Sequence, residues 1–149
     1  MDSVYEIRKY FLDKEEKKWV YVLAVSGRKS FIDKCLIRDS HRAARIASTV
    51  ERVFDRGVSW GLASSTIKNL RGTRGNVVVS ETRVKGGVVR IATYLHLGNI
   101  PIYLFDFDSH SGSGNNVPGH VLGRAAEMAR HAKDCATGYD FAEYEEHRK

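Results

Sequence analysis

Two arginines, Arg83 and Arg90, flank the glycine pair Gly86-Gly87 within a stretch, Asn76 to Leu97, that alternates apolar and polar residues. Glycines between such runs suit a two-residue hairpin loop, since type I′ geometry requires positive φ at both central positions. With Gly86 and Gly87 as the loop, Lys85 falls opposite Val88, Val84 opposite Val89, and Arg83 directly opposite Arg90. Like charges facing each other across a ladder are unfavourable and demand an anion. Glu81, diagonal to the pair, is one such anion; a phosphate bound from outside, which guanidinium forks grip well, is the other. Period-2 alternation sets Val77, Val79 and Glu81 on the arginine face together with Ala92, Tyr94 and His96. The opposite face, with Val78, Thr82, Val84, Val89, Ile91 and Leu95, is more apolar and is the expected core side.

Other residues with chemistry to offer lie on either side of this stretch. The glycine- and serine-rich run Asp108 to Asn116 carries His110, whose imidazole titrates near neutrality and suits general acid or base work. Asp106, Asp108 and His110 alternate and could converge on a divalent cation, but the triplet has no familiar ligand spacing and no metal is expected. Gly112-Ser-Gly114 lacks the Lys-Ser/Thr that completes a phosphate loop. Ahead of the hairpin, the connection Ser59 to Gly75 delivers Lys68, Arg71 and Arg74 to the rim of the sheet. Arg42, Arg45 and Arg52 share a helix face and read as a solvated surface.

The charge balance favours an anionic partner. Lys+Arg 24 against Asp+Glu 18 gives +6, and Tyr139 to Lys149 holds four acids and two bases, which leaves +8 on residues 1–138. The 149 residues fit a single domain able to bury roughly two-thirds of its unfolded surface. Cys35 and Cys135 offer neither a disulfide framework nor a metal spacing and read as reduced thiols. No apolar run approaches the roughly 18 residues a membrane span requires, and Met1 to Leu12 is too charged for a signal peptide. These features point to a cytoplasmic protein without membrane contact.

The elements that must position these residues follow from periodicity and caps. Val4 to Phe11 and Lys18 to Val25 flank the charged stretch Asp13 to Lys17 and suit a first hairpin, although Val4, Ile7 and Phe11 also fit helical spacing. A short helix from about Lys29 to Ile37 is expected, then a longer one from about His41 to Phe54, capped by Asp39 or Ser40 and stopped by Gly57. After the glycine hairpin, Ile100 to Phe107 makes a third consecutive strand, with Pro101 suggesting an exposed first position. Pro118 opens a helix to about Lys133. The result is an α+β domain: an antiparallel meander sheet with an N-terminal strand, two helices before the meander and one after it, the helices packed on one face. The acidic tail from Tyr139 is either a short helix or unstructured.

That order, with particular residues, resembles the RelE/ParE/HigB superfamily of small bacterial toxins, and the HigB-like branch most of all. The resemblance runs from about Trp19 to Lys133, within a core spanning residues 17–134 that leaves 1–16 as an N-terminal extension and 135–149 as an acidic tail. It rests on Leu70-Arg-Gly, on Gly75-Asn-Val-Val-Val-Ser-Glu81-Thr-Arg83, and on Gly87-Val-Val-Arg90-Ile-Ala-Thr-Tyr94, which is similar to the family's Tyr-Arg-Ile-x-Tyr strand. Phe105-Asp-Phe107 and an alanine-bearing helix behind Pro118 complete it.

The resemblance implies a toxin paired with a cognate antitoxin and acting on translation, as an mRNA endoribonuclease working with or without the ribosome and needing no metal or other cofactor. Arg83 and Arg90 would hold the scissile phosphate. Val79 and Glu81 stand where RelE-type lysines would sit, so the acid and base must come from elsewhere, His110 first. Lys68, Arg71, Arg74, Lys85, Tyr94 and His96 would contact RNA. Two further readings keep the same fold: a ParE-like inhibitor of DNA gyrase without RNA cleavage, and a non-toxic binding module whose acidic tail covers the basic face.

Overall fold

The run Trp19-Val-Tyr-Val-Leu-Ala-Val25 offers no polar residue to either side, which is what a strand covered on both faces requires. In the computed structural model, which describes residues 4–70, 77–109 and 117–149, it forms β2 (Lys18–Val25) at the centre of the molecule. It pairs antiparallel with β1 (Tyr5–Asp13) through a turn in which the Asp13 carboxylate accepts from the Glu15 and Glu16 amides, at 3.0 and 3.1 Å. On its other side lies β6 (Ile100–Asp108), in parallel, with Tyr21 registered on Ile102 and Val22 on Tyr103.

The remaining strands are β3 (Ile67–Asn69), β4 (Ser80–Arg83) and β5 (Val89–His96). Among the described residues the six strands form one sheet in the order β1-β2-β6-β5-β4-β3. The sheet is therefore mixed, which overturns the expected antiparallel meander. The connection from β2 to β6 spans three helices and three strands, and the strand that ends it returns beside the strand that began it. Pro101 is buried rather than exposed on an edge; because the parallel pairing begins at Ile102, its missing N–H sits ahead of that ladder.

Helices cover both faces, not one. On the first lie α1 (Phe31–Arg38) and α2 (Ser40–Arg56), capped by Ser30 and Asp39, whose side chains accept from the amides of Asp33 and Arg42. Ile32, Cys35, Ala43, Ile46 and Val50 pack there on Val20, Val22, Val84, Val89 and Ile91. On the second face α4 (Gly119–Thr137) lays an alanine stripe, Ala125, Ala129, Ala132 and Ala136, against Leu23, Ala92, Ile102 and Phe105. The expected two helices before the central strands are joined by a third, α3 (Val58–Ala63), which lies with β3 in the stretch read as a connection. Among the described residues no helix is long and apolar enough to cross a membrane.

The acidic tail is ordered. Its helix α5 (Ala142–Arg148) buries Tyr144 among Trp19, Tyr21 and Phe54, with ring centroids 5.9 to 6.4 Å apart. Arg148 donates from Nη2 to the Phe54 carbonyl, satisfying an orphan acceptor at the C-terminal end of α2. None of the tail's ion pairs among the described residues involves Arg83 or Arg90; Glu143 pairs with Lys9 at 2.9 Å.

A buried hydroxyl chain ties β4 to β5. Thr93 Oγ1 donates to the Ile91 carbonyl at 2.9 Å and accepts from Thr82 Oγ1 at 2.8 Å, and neither residue is exposed. Thr93→Val strips the acceptor from Thr82 and should cost about 1–3 kcal/mol, whereas the double variant Thr82→Val/Thr93→Val should recover much of that loss. Urea unfolding of the singles and the double measures the coupling; simply additive losses would contradict it.

Candidate functional site

Arg83 and Arg90 are Cα partners in the β4–β5 ladder. The turn between them differs from the expected type I′: Gly86 takes φ +89, Gly87 does not have positive φ, and the turn is centred on Lys85 and Gly86, one residue ahead of the glycine pair. A Cβ on Gly87 would lie 3.1 Å from Nη1 of Arg45 on α2, a flexible side-chain end that can give way. The loop thus gives the arginine register and brings a further cation to the turn.

Glu81 lies between the two guanidinium groups, with Oε1 3.3 Å from Arg83 Nε and Oε2 4.0 Å from Arg90 Nε. Its side chain is 8% exposed, against 13% for Arg90 and 29% for Arg83. Arg90 also donates from Nη1 to the Gly87 and Val89 carbonyls, each at 3.2 Å. Burial pulls its guanidinium below the ordinary arginine range, an effect that Glu81 opposes and Arg83 reinforces. Arg83, by contrast, engages only Nε among the described residues, which leaves its terminal fork available. Lys68 on β3 is registered on Glu81, which places a third cation next to the pair on this face.

Around the sheet edge the positive charge continues. A pocket of about 200 Å³ is lined by Arg52, Arg83 and Lys85 together with the hydroxyl residues Thr49, Ser64, Ser65 and Thr66, and none of its lining residues is acidic. Arg52 and Arg45 were read from sequence as solvated, yet both point to this end of the sheet. Arg42 has a different role: its Nε and Nη1 hold Asp106 at 2.8 Å and Asp108 at 2.7 Å. No protein-family model matches the chain, and neither does any curated protein or solved structure.

The other sequence-predicted residues divide into two sets. Arg71, Arg74 and His110 lie outside the described residues. Tyr94 and His96 share the arginine face of β5 but sit four and six positions farther on, about 13 and 20 Å from Arg90 at ~3.3 Å per residue. They cannot meet the phosphate that the arginines would hold. His96 lies against Phe141, with ring centroids 5.3 Å apart, and next to the Tyr94 hydroxyl, 3.4 Å from its Nδ1. Burial raises the Tyr94 phenol and lowers the His96 imidazole. This corner is part of the tail's docking surface, a role that required knowing where the tail folds.

Two outcomes follow from this geometry. Glu81→Gln removes the anion shared by two partly buried arginines and should cost about 2–3 kcal/mol. Added inorganic phosphate should then raise the melting temperature of the variant more than that of the parent; equal shifts would show that the pair does not accept an external anion. For His96, the folded state resists protonation, so the unfolded chain binds the proton first below the ordinary value of 6.5. Stability present above that pH is lost as pH falls through the lowered value, and His96→Gln should flatten the decline measured by thermal melts between pH 7 and about 5.

Proposed function

We propose that the chain is a toxin acting on translation, which grips mRNA at the β4–β5 end of the sheet and cleaves it without a metal by attack of a 2′-hydroxyl, as in the RelE and HigB toxins it resembles. The observation that supports this reading is the registered pair Arg83 and Arg90 sharing one carboxylate. Two guanidinium groups offer ten N–H donors and two positive charges against a single anion, so the cluster keeps a net positive charge and a free fork on Arg83. Lys68 on one side, with Lys85 and Arg52 on the other, extends it along the edge of the sheet, as a phosphodiester backbone requires. A phosphorane-like transition state places extra charge where such forks point. His110 is the acid or base this reading assigns, and a cognate antitoxin is the partner.

One observation favours a non-catalytic reading on the same surface. The described histidine on the arginine face, His96, is about 20 Å from Arg90, and Glu81 is held by both arginines. Binding without cleavage, as in a gyrase inhibitor of the ParE kind, then accounts for the cations alone.

Purified protein incubated with mRNA, with and without ribosomes, separates the two. Cleavage is expected, and Arg90→Ala should lower it at least ~100-fold while far-ultraviolet circular dichroism stays native. Intact RNA in both reactions together with normal growth on induction would overturn the toxin reading. Inhibition of DNA supercoiling with RNA untouched would establish the ParE-like one.

A further inference from the structure

At the same end of the sheet as the arginine pair, β2 and β6 end side by side and their chains leave in opposite directions. β2 leads into α1 on one face and β6 into α4 on the other. Adjacent parallel strands whose following helices diverge leave a crevice outside their carboxyl ends, the general position of ligand sites in open α/β sheets. This crevice exists: a cavity of about 480 Å³ bounded by Leu23 to Val25 of β2, Leu104 to Asp106 of β6, and side chains of α1 and α4. Its size falls within the range of small-molecule sites.

The lining has a definite chemistry. Arg28, Lys29, Lys34, Arg38 and Arg124 all border it, and none forms an ion pair with another described residue. Among the described residues two acids join them, Glu127 and Asp106, and Asp106 is already engaged by Arg42. Arg124 places its guanidinium carbon over the Phe105 ring, 4.2 Å from the centroid, a contact that favours one position of its fork before any ligand arrives. Phe31 and Met128 provide apolar wall between the charged groups. Five cations with Glu127 as the remaining acid around a half-open volume leave an excess of positive charge, an arrangement that a multiply charged small anion relieves.

We infer that this crevice binds a nucleoside diphosphate, its phosphates held by the α1 cations and Arg124 and its flat ring resting on the apolar wall. Neither Arg83 nor Arg90 lines the crevice, although Arg90 is registered on Phe107, one residue past its β6 wall, and the inference does not rest on the RNA reading. Isothermal titration of the full chain with ADP and, separately, with inorganic pyrophosphate tests it. ADP is expected to bind with a salt-sensitive affinity and more tightly than pyrophosphate. Lys34→Gln/Arg124→Gln, two exposed positions whose replacement leaves the core intact, should weaken ADP at least ~10-fold, whereas Lys14→Gln, exposed in the β1–β2 turn at the other end of β2, should leave it unchanged. Absence of ADP binding, equal affinity for pyrophosphate, or affinity unaltered by the double variant would each overturn the inference.

Discussion

The parallel contact between β2 and β6 is the interaction on which the rest of this structure depends. Two strands that run side by side in the interior must be covered above and below, because neither can turn a polar face to water. That requirement explains why Trp19, Tyr21 and Leu23 face one apolar layer while Val20 and Val22 face another. It explains the placement of α1 and α2 on one side and α4 on the other. It also sets the position of both basic regions: one lies where the parallel strands end, and the other where the antiparallel strands β4 and β5 turn at the edge.

Charge is handled differently in the two regions. At the turn, a nearly buried carboxylate sits between Arg83 and Arg90, so these two cations are partly satisfied and conformationally held. A buried arginine without Glu81 would carry an uncompensated desolvation cost, and the carboxylate is what allows two like charges to face each other across a ladder. In the crevice, no comparable anion is inserted, and separation between side chains on exposed positions keeps the repulsion tolerable. The first arrangement is rigid and the second open, which suits a strand-like ligand in one case and a compact one in the other.

Local signals in the chain carried the local structure. The glycine pair gave the cross-strand partnership of Arg83 with Arg90, and Asp39 and Gly57 marked the ends of α2. What escaped was long-range. Nothing within eight residues of Tyr21 reports that Ile102, far along the chain, will lie beside it, although an apolar run with no alternation is the trace that a strand covered on both faces leaves. Arg42 looked solvated because its partners, Asp106 and Asp108, are more than sixty residues away. The three-residue strand β3 and the six-residue α3 are too short for periodicity to register. The crevice was invisible for the same reason as the parallel pair, since it exists only where that pair ends.

The docking of α5 has a consequence for the order of folding events. Phe54 receives the Arg148 guanidinium across 94 residues, and Trp19 and Tyr21 are covered by Tyr144 from still farther along the chain. During synthesis, therefore, a large aromatic surface is laid down early and stays open until the segment around Tyr144 emerges. Contacts of such long sequence separation form late and slowly compared with the local hairpins. The nascent chain passes through a stage with its helices and hairpins formed and one sticky aromatic flank uncovered, and that interval is when it is most open to chaperones, aggregation or any partner able to mimic the missing helix.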